Sequence, residues 1–105
     1  MKPKTTRSSV KQKLKEVEPE AQSLVRADGR VDLRGGRVDD ALRELDRALD
    51  IAIKEQRPRL TIVHGHGTGA LKGAVREYLS FSHYVRSYRP GDDGEGRDGV
   101  TIVEL

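Results

Sequence analysis

Seven apolar residues, Val38, Ala41, Leu42, Leu45, Ala48, Leu49 and Ala52, recur at spacings of three and four and lie on one stripe of a helix from about Val38 to Lys54. Asp39 and Asp40 fall in its first turn, where carboxylates suit the macrodipole. Such a stripe must be buried, and the flanking sequence says against what. Val31-Asp32-Leu33-Arg34 alternates apolar with charged and stops at Gly35-Gly36, the pattern of a short half-buried strand and a sharp turn. After Pro58, Leu60-Thr61-Ile62-Val63-His64 carries apolar or β-branched residues on both faces and reads as a more buried strand. Two strands joined through a helix should be parallel with a right-handed crossover. Gly65-His66-Gly67-Thr68-Gly69 then leads into a second helical stripe of Ala70, Leu71, Ala74, Val75, Tyr78 and Leu79. Tyr84 to Arg89 and Val100 to Glu104 are the last strands, expected to pair as an antiparallel hairpin. The segment between them, Pro90 to Gly99, is expected to be too rich in glycine and charge to pack. The order is β-α-β-α-β-β. Two helices for four strands predict an α/β chain of the α+β two-layer kind, a four-stranded mixed sheet with both helices on one face.

The 105 residues suffice for one small domain. Without Cys there is no disulfide framework and no thiolate zinc site, which is compatible with a reducing compartment. No apolar run approaches the ~20 residues that span a bilayer, and the amino end has no apolar stretch for a signal peptide, so a cytoplasmic protein is expected. The net charge of +3 is unevenly spread. Residues 1–30 hold eight basic and four acidic groups, a net of +4, and the other 75 hold 12 and 13, a net of −1. The leader is read as a basic flexible linker, with a turn or two of helix through Val10, Leu14 and Val17 that Pro19 interrupts; it looks cut from a longer protein. Residues 31–105 are the domain.

In a sheet with parallel strands, ligands usually bind beyond the carboxyl ends of adjacent strands. Here those ends carry Asp32 and Arg34 on one strand and His64 to Gly69 on the next, so a carboxylate, a guanidinium and two imidazoles should meet above a glycine-rich helix start. That combination suits a phosphodiester. Singly, each feature has a plainer reading. The glycines serve equally as a tight strand-to-helix turn; His64 and His66 lack a third metal ligand and more often make hydrogen bonds; Asp32 and Arg34 suit a surface ion pair. Gly65-x-Gly67-x-Gly69 lacks the spacing of a dinucleotide fingerprint and there is no P-loop, so no nucleotide is expected in this domain. Asp92, Asp93 and Glu95 do not follow calcium-loop spacing. His83 reads as a solvent-facing turn residue. Tyr84 and Tyr88 on one strand face, flanking Arg86, could stack bases or be ordinary half-exposed tyrosines.

Taken together, Val31-Asp32-Leu33-Arg34-Gly35, His64-Gly65-His66-Gly67-Thr68-Gly69-Ala70-Leu71 and the final Gly99-Val100-Thr101-Ile102-Val103-Glu104-Leu105 resemble the Smr (small MutS-related) domain. Arg34 and the Thr-Gly-Ala-Leu run are most similar to the domain that ends the bacterial MutS paralogue acting outside mismatch repair. The resemblance implies a fold similar to the carboxyl-terminal domain of translation initiation factor three. It also implies an endonuclease that nicks DNA, including branched recombination intermediates, with some relatives cleaving messenger RNA on stalled ribosomes. The parent protein would be an ATP-binding, dimeric scaffold that suppresses homologous recombination and rescues collided ribosomes, whereas the isolated domain is expected to be monomeric. Carried over residue by residue, Asp32 and Arg34 form the first functional motif and His64, Gly65, Gly67 and Gly69 the second. His66 departs from the family, where Lys or Arg is frequent; a free imidazole titrates near ~6.5, which would make a backbone contact pH-dependent.

The mechanism these residues suggest is phosphodiester hydrolysis. Asp32 would bind a weakly held Mg²⁺ or Mn²⁺ or orient the attacking water, Arg34 would neutralise the phosphoryl oxygens, and His64 would protonate the leaving oxygen. Gly65, His66, Gly67 and Gly69 would hold the adjacent phosphate, and Lys72 and Arg76 would extend the track along the helix. On RNA, His64 and His66 would instead act as an acid and base pair. The alternative is a module that docks on nucleic acid or the ribosome and does no chemistry.

Overall fold

The structure is a computed structural model and describes residues 24–105. The expected linker therefore lies mostly outside the described residues. Its last part does not: Val25 is in the core, Leu24 packs against it, and Thr61 N donates to Gly29 O at 2.8 Å. The folded unit thus begins several residues before Val31.

Strand β1 (Arg30–Asp32) leads to helix α1 (Val38–Lys54), strand β2 (Arg59–Val63), helix α2 (Ala70–Phe81), strand β3 (Ser87–Pro90) and strand β4 (Val100–Glu104), in the predicted order. The sheet order is β1-β2-β4-β3, with β1 parallel to β2 and β4 antiparallel to both its neighbours. Leu60, Ile62, Val31 and Val103 share one core with Leu45 and Leu49 of α1 and Val75 and Leu79 of α2. Both helices therefore cover one face of the sheet. Three alanines, Ala41, Ala48 and Ala52, are buried in α1 beside the two leucines, and small side chains at these positions let the helix axis approach the sheet closely.

Because residues paired across a ladder point to the same face, register assigns every strand residue a side. Val31 pairs with Ile62 and Ile62 with Thr101, so these three face the helices. Asp32 pairs with Val63 and Val63 with Val100, so these face the side without helices. Val63, Val100 and Ile102 form a second, smaller buried cluster there.

The segment expected not to pack does pack. Asp93–Glu95 and Arg97–Gly99 form two 3₁₀ turns, the first closed by a capping box between Asp92 and Glu95. They lie against Val100 so closely that a Cβ at Gly91 or Gly96 would come within 2.5 or 2.8 Å of its methyl groups. Glycine here permits close contact instead of marking a solvated loop, and the turns roof the second cluster where no helix is available. The strand expected from Tyr84 begins only at Ser87, because α2 runs on to Phe81 and a turn follows in which Tyr84 N donates to Ser82 Oγ at 3.2 Å. Tyr84 and Tyr88 therefore do not share a strand face. His83 is exposed, and no helix among the described residues is long and apolar enough to cross a membrane.

Candidate nucleic-acid interface

The first motif folds on itself. Strand β1 ends at Asp32, two residues short of the apolar alternation, because Arg34 turns back: its backbone N donates to Asp32 Oδ1 at 3.0 Å, its Nε to the same oxygen at 3.0 Å, and its Nη2 to Oδ2 at 2.8 Å. Both carboxylate oxygens are occupied. Hydrogen bonding from the Arg34 side chain holds the Asp32 pKa down at about 2, with desolvation opposing it and the Arg34 backbone bond and nearby Arg26 assisting. Arg34 itself stays largely exposed, and the outer edge of its guanidinium has no partner among the described residues. Its stem lies against the second motif, since a Cβ at Gly65 would sit 3.4 Å from Arg34 Cγ and Cδ. The expected meeting of the two strand ends is therefore present for Asp32, Arg34 and Gly65.

His64 is elsewhere. One residue past Val63, it points to the helix face, opposite Asp32, and is only 5% exposed. Its Nδ1 lies 3.0 Å from Gly65 O, and a carbonyl only accepts, so Nδ1 carries the proton. Nε2 is then the bare nitrogen and accepts the Thr101 hydroxyl at 2.8 Å. Thr101 Oγ1 in turn accepts from Arg76 Nε at 2.9 Å. Burial, with Arg76 and Lys72 near, lowers the His64 pKa, so the ring is neutral. Both nitrogens are committed to the scaffold. The expectation that His64 donates a proton to a leaving group, or pairs with His66 as acid and base, is corrected: the ring is buried on the far side of the sheet from Asp32.

What His64 does is orient the turn. Gly65 O is held inward by Nδ1, and the peptide's N–H, on His66, lies trans to that carbonyl and points the other way. His64 N and Gly65 N both donate to Gly99 O, at 3.1 and 2.9 Å. The N–H groups of His66, Gly67, Thr68 and Gly69 have no backbone acceptor among the described residues. Gly65, Gly67 and Gly69 all have positive φ, which keeps the turn tight. Gly69 ends it as the N-cap of α2, whose first turn carries no acidic residue; only Thr68 Oγ1 reaches in, accepting from Ala70 N at 3.2 Å. A cleft of about 260 Å³ lies over this turn, between Gly36 and Val38 on one side and Leu71 and Lys72 on the other. Its walls offer N–H donors, a helix amino end and a Lys, the equipment of an anion site.

Lys72 and Arg76, expected to be a free track, are paired. Both donate to Asp98, Arg76 Nη2 at 3.1 Å, and together they lower the Asp98 pKa, Lys72 more than Arg76. His66 stands over Gly99, where any side chain would meet its ring, 2.8 Å from Nε2 to a Cβ. Thr101, Asp98 and Gly99 were not assigned roles from sequence. Thr101 carried a signal: a single hydroxyl on the inward face of an otherwise apolar strand must find partners.

A divalent metal fits poorly. Asp32 is one carboxylate with both oxygens bonded to Arg34, and no group of three His, Cys, Asp or Glu that could hold an ion occurs among the described residues.

A model of the Smr domain family matches residues 31–105. The chain belongs to the Smr family. Among curated relatives, this Smr domain is 51% identical over 76 residues to "Endonuclease MutS2" of Anaeromyxobacter sp. (strain Fw109-5), covering 72% of this chain and 9% of that protein. It is 49% identical over 75 residues to "Endonuclease MutS2" of Bacillus mycoides (strain KBAB4), covering 71% of this chain. The chain thus spans about a tenth of the length of these relatives. Among solved structures, the Smr domain of Thermus thermophilus MutS2 is 46% identical with a TM-score of 0.71, covering 72% of this chain and 95% of that one. YdaL, a stand-alone small MutS-related protein from Escherichia coli, shares the fold with a TM-score of 0.71 at 17% identity, covering 76% of this chain and 66% of that one.

Proposed function

We propose that this Smr domain binds the backbone of a polynucleotide at the joined ends of β1 and β2 and is the nicking endonuclease unit of a MutS2-type protein. The observation that carries the reading is the apposition of Arg34 to the Gly65–Gly69 turn, with unpaired N–H groups on the turn and an ionised carboxylate beside the guanidinium. A phosphate in the cleft would accept from the N–H groups of the turn and from the outer edge of Arg34. Those donors also face the extra negative charge that builds on the phosphoryl oxygens as water adds to phosphorus. One P–O ester bond breaks, one P–O bond to the water oxygen forms, and the alcohol leaves with a proton from solvent. Asp32, ionised above pH about 2, is too weak a base to deprotonate water outright. Its role is to keep Arg34 in place and to orient the incoming water.

The relatives' printed name supports nuclease chemistry, and their length supports a larger parent. In that parent, DNA, including branched intermediates, is the substrate we infer, in a cytoplasmic homodimer that restrains recombination. RNA cleavage or docking on collided ribosomes is the second reading. The burial of His64 favours docking within that second reading, since it withdraws the imidazole that either cleavage mechanism would use. Supercoiled plasmid and structured RNA are incubated with wild type, Asp32→Asn and Arg34→Lys, with Mn²⁺ and with EDTA. The endonuclease reading requires nicking that both variants lose. Unchanged residual cleavage in Asp32→Asn refutes it, and binding by wild type and by Asp32→Asn with no cleavage by either supports docking.

A further inference from the structure

Lys72 and Arg76 stand about one helical turn apart on α2 and reach opposite oxygens of one carboxylate: Lys72 Nζ donates to Asp98 Oδ2, and Arg76 Nη2 to Oδ1. Two cations sharing the oxygens of one anion is how side chains hold a phosphate. Asp98 differs from the other carboxylates of its segment. Glu95 pairs with Arg89 and Asp93 with Arg97, whereas Asp98 crosses to the helix that begins at the glycine turn. Lys72 also lines the cleft over that turn, so an anion at the position of the Asp98 carboxylate would neighbour one bound in the cleft. The Asp98 side chain is 48% exposed, while the next residue is pinned by the bonds from His64 N and Gly65 N to Gly99 O. The carboxylate can therefore leave by side-chain rotation with the backbone in place.

We propose that Lys72 and Arg76 form a second phosphate position for a polynucleotide, and that Asp98 is a built-in competitor occupying it in the free domain. This rests on the nucleic-acid reading above and adds to it which cations engage and what they must first release. Binding exchanges one anion for another, so the two cations contribute less affinity and less salt dependence than free ones would.

The test is fluorescence anisotropy of the full chain with a labelled single-stranded oligonucleotide of about 20 nucleotides, as DNA and as RNA. Asp98→Asn should bind about five- to tenfold tighter than wild type and show a steeper salt slope by about one. Asp93→Asn removes the same charge from the same segment at a residue that, among the described residues, pairs only with Arg97; it measures the general electrostatic gain and should stay within about twofold. Lys72→Gln introduced into Asp98→Asn should cancel most of the tightening. The proposal is overturned if Asp98→Asn binds no tighter than Asp93→Asn, or if the gain survives Lys72→Gln. Asp98→Ala replaces the Asn variant if the latter fails to melt cooperatively. Absence of binding by every variant overturns the nucleic-acid reading as well, whereas binding with no difference between the two Asn variants overturns the competitor alone.

Discussion

Replacing Thr101 by Val isolates the scaffold under the glycine turn. The two side chains have nearly the same shape, and Thr101 is 0% exposed, so the change removes one hydroxyl without opening a cavity. That hydroxyl serves two partners, donating to His64 Nε2 at 2.8 Å and accepting from Arg76 Nε at 2.9 Å. Its loss leaves a buried imidazole acceptor without a donor. Arg76 keeps its bonds to Asp98 and Val100 O and is less affected. One unsatisfied buried acceptor costs about 1–3 kcal/mol; taking about 2 kcal/mol, the melting temperature should fall by about 8–16 °C. Thr101→Ser, which keeps the hydroxyl, should recover most of it. Thermal melting followed by circular dichroism reads the stability, and nitrogen NMR of the imidazole reads the tautomer, expected as Nδ1–H. The His64 pKa is lowered in the folded domain, so on acidification the unfolded chain binds its proton first. This part of the stability is complete above the unfolded value of about 6.5 and declines as pH falls below it. His64→Gln should flatten that decline. A Thr101→Val protein as stable as wild type, or a ring protonated at Nε2, would refute the network and with it the argument that His64 is scaffold.

Three further outcomes follow from local geometry. The Asp32 pKa is depressed to about 2, so the pair with Arg34 stabilises the fold above the unfolded value of about 3.8 and is lost as pH falls toward 2; Arg34→Gln should remove that acid-dependent part, at most about 2.4 kcal/mol and nearer 1 because Arg34 is 61% exposed, as read by urea denaturation between pH 5 and about 2. Gln56 has φ 58 where the chain leaves α1 and Arg57 N donates to Ala52 O at 2.9 Å, so Gln56→Gly should raise stability by about 1 kcal/mol in the same assay. Gly99→Ala should displace the His66 ring, visible as a shift of its imidazole proton resonances and, on the reading proposed here, as weaker oligonucleotide binding.

The architecture was legible because each element is signalled locally. The α1 stripe gave both ends of the helix, and Gly65 to Gly69 gave the start of α2. Side-chain partners were not legible, because they depend on which face each residue takes in the finished sheet. Asp32 and His64 stand at the ends of neighbouring strands and so looked like partners; their strands differ by one residue in where the candidate side chain falls, and one residue is a change of face. The Gly91–Gly99 segment was misread for a related reason. Its composition is that of a solvated loop, yet Gly91 and Gly96 lie against Val100 and its carboxylates pair with basic side chains, facts fixed by the antiparallel return of β4 and invisible in a list of residue types.

The charge arithmetic changes with the domain boundary, and it changes what a truncation can test. Val25 and Gly29 belong to the fold, so Arg26, Asp28 and Arg30 are counted with it. Residues 24–105 then hold 14 basic and 14 acidic groups, and residues 1–23 hold six and three. The described unit has no net charge; on the nucleic-acid reading proposed above, its attraction for a polyanion would come from placement, from Arg34 and the turn on one edge and from the cations that Asp98 is proposed to release. On the same reading, the excess positive charge for non-specific attraction is that of residues 1–23. Removing residues 1–30 would strip Val25 from the core and Gly29 O from Thr61 N, confounding affinity with stability. Removing residues 1–23 instead keeps Val25 and Gly29, and should weaken oligonucleotide binding and flatten its salt dependence by as much as about 0.7 per lost phosphate contact on a single strand. An unchanged salt slope would show that the leader makes no phosphate contact and that the neutral domain carries the whole interaction.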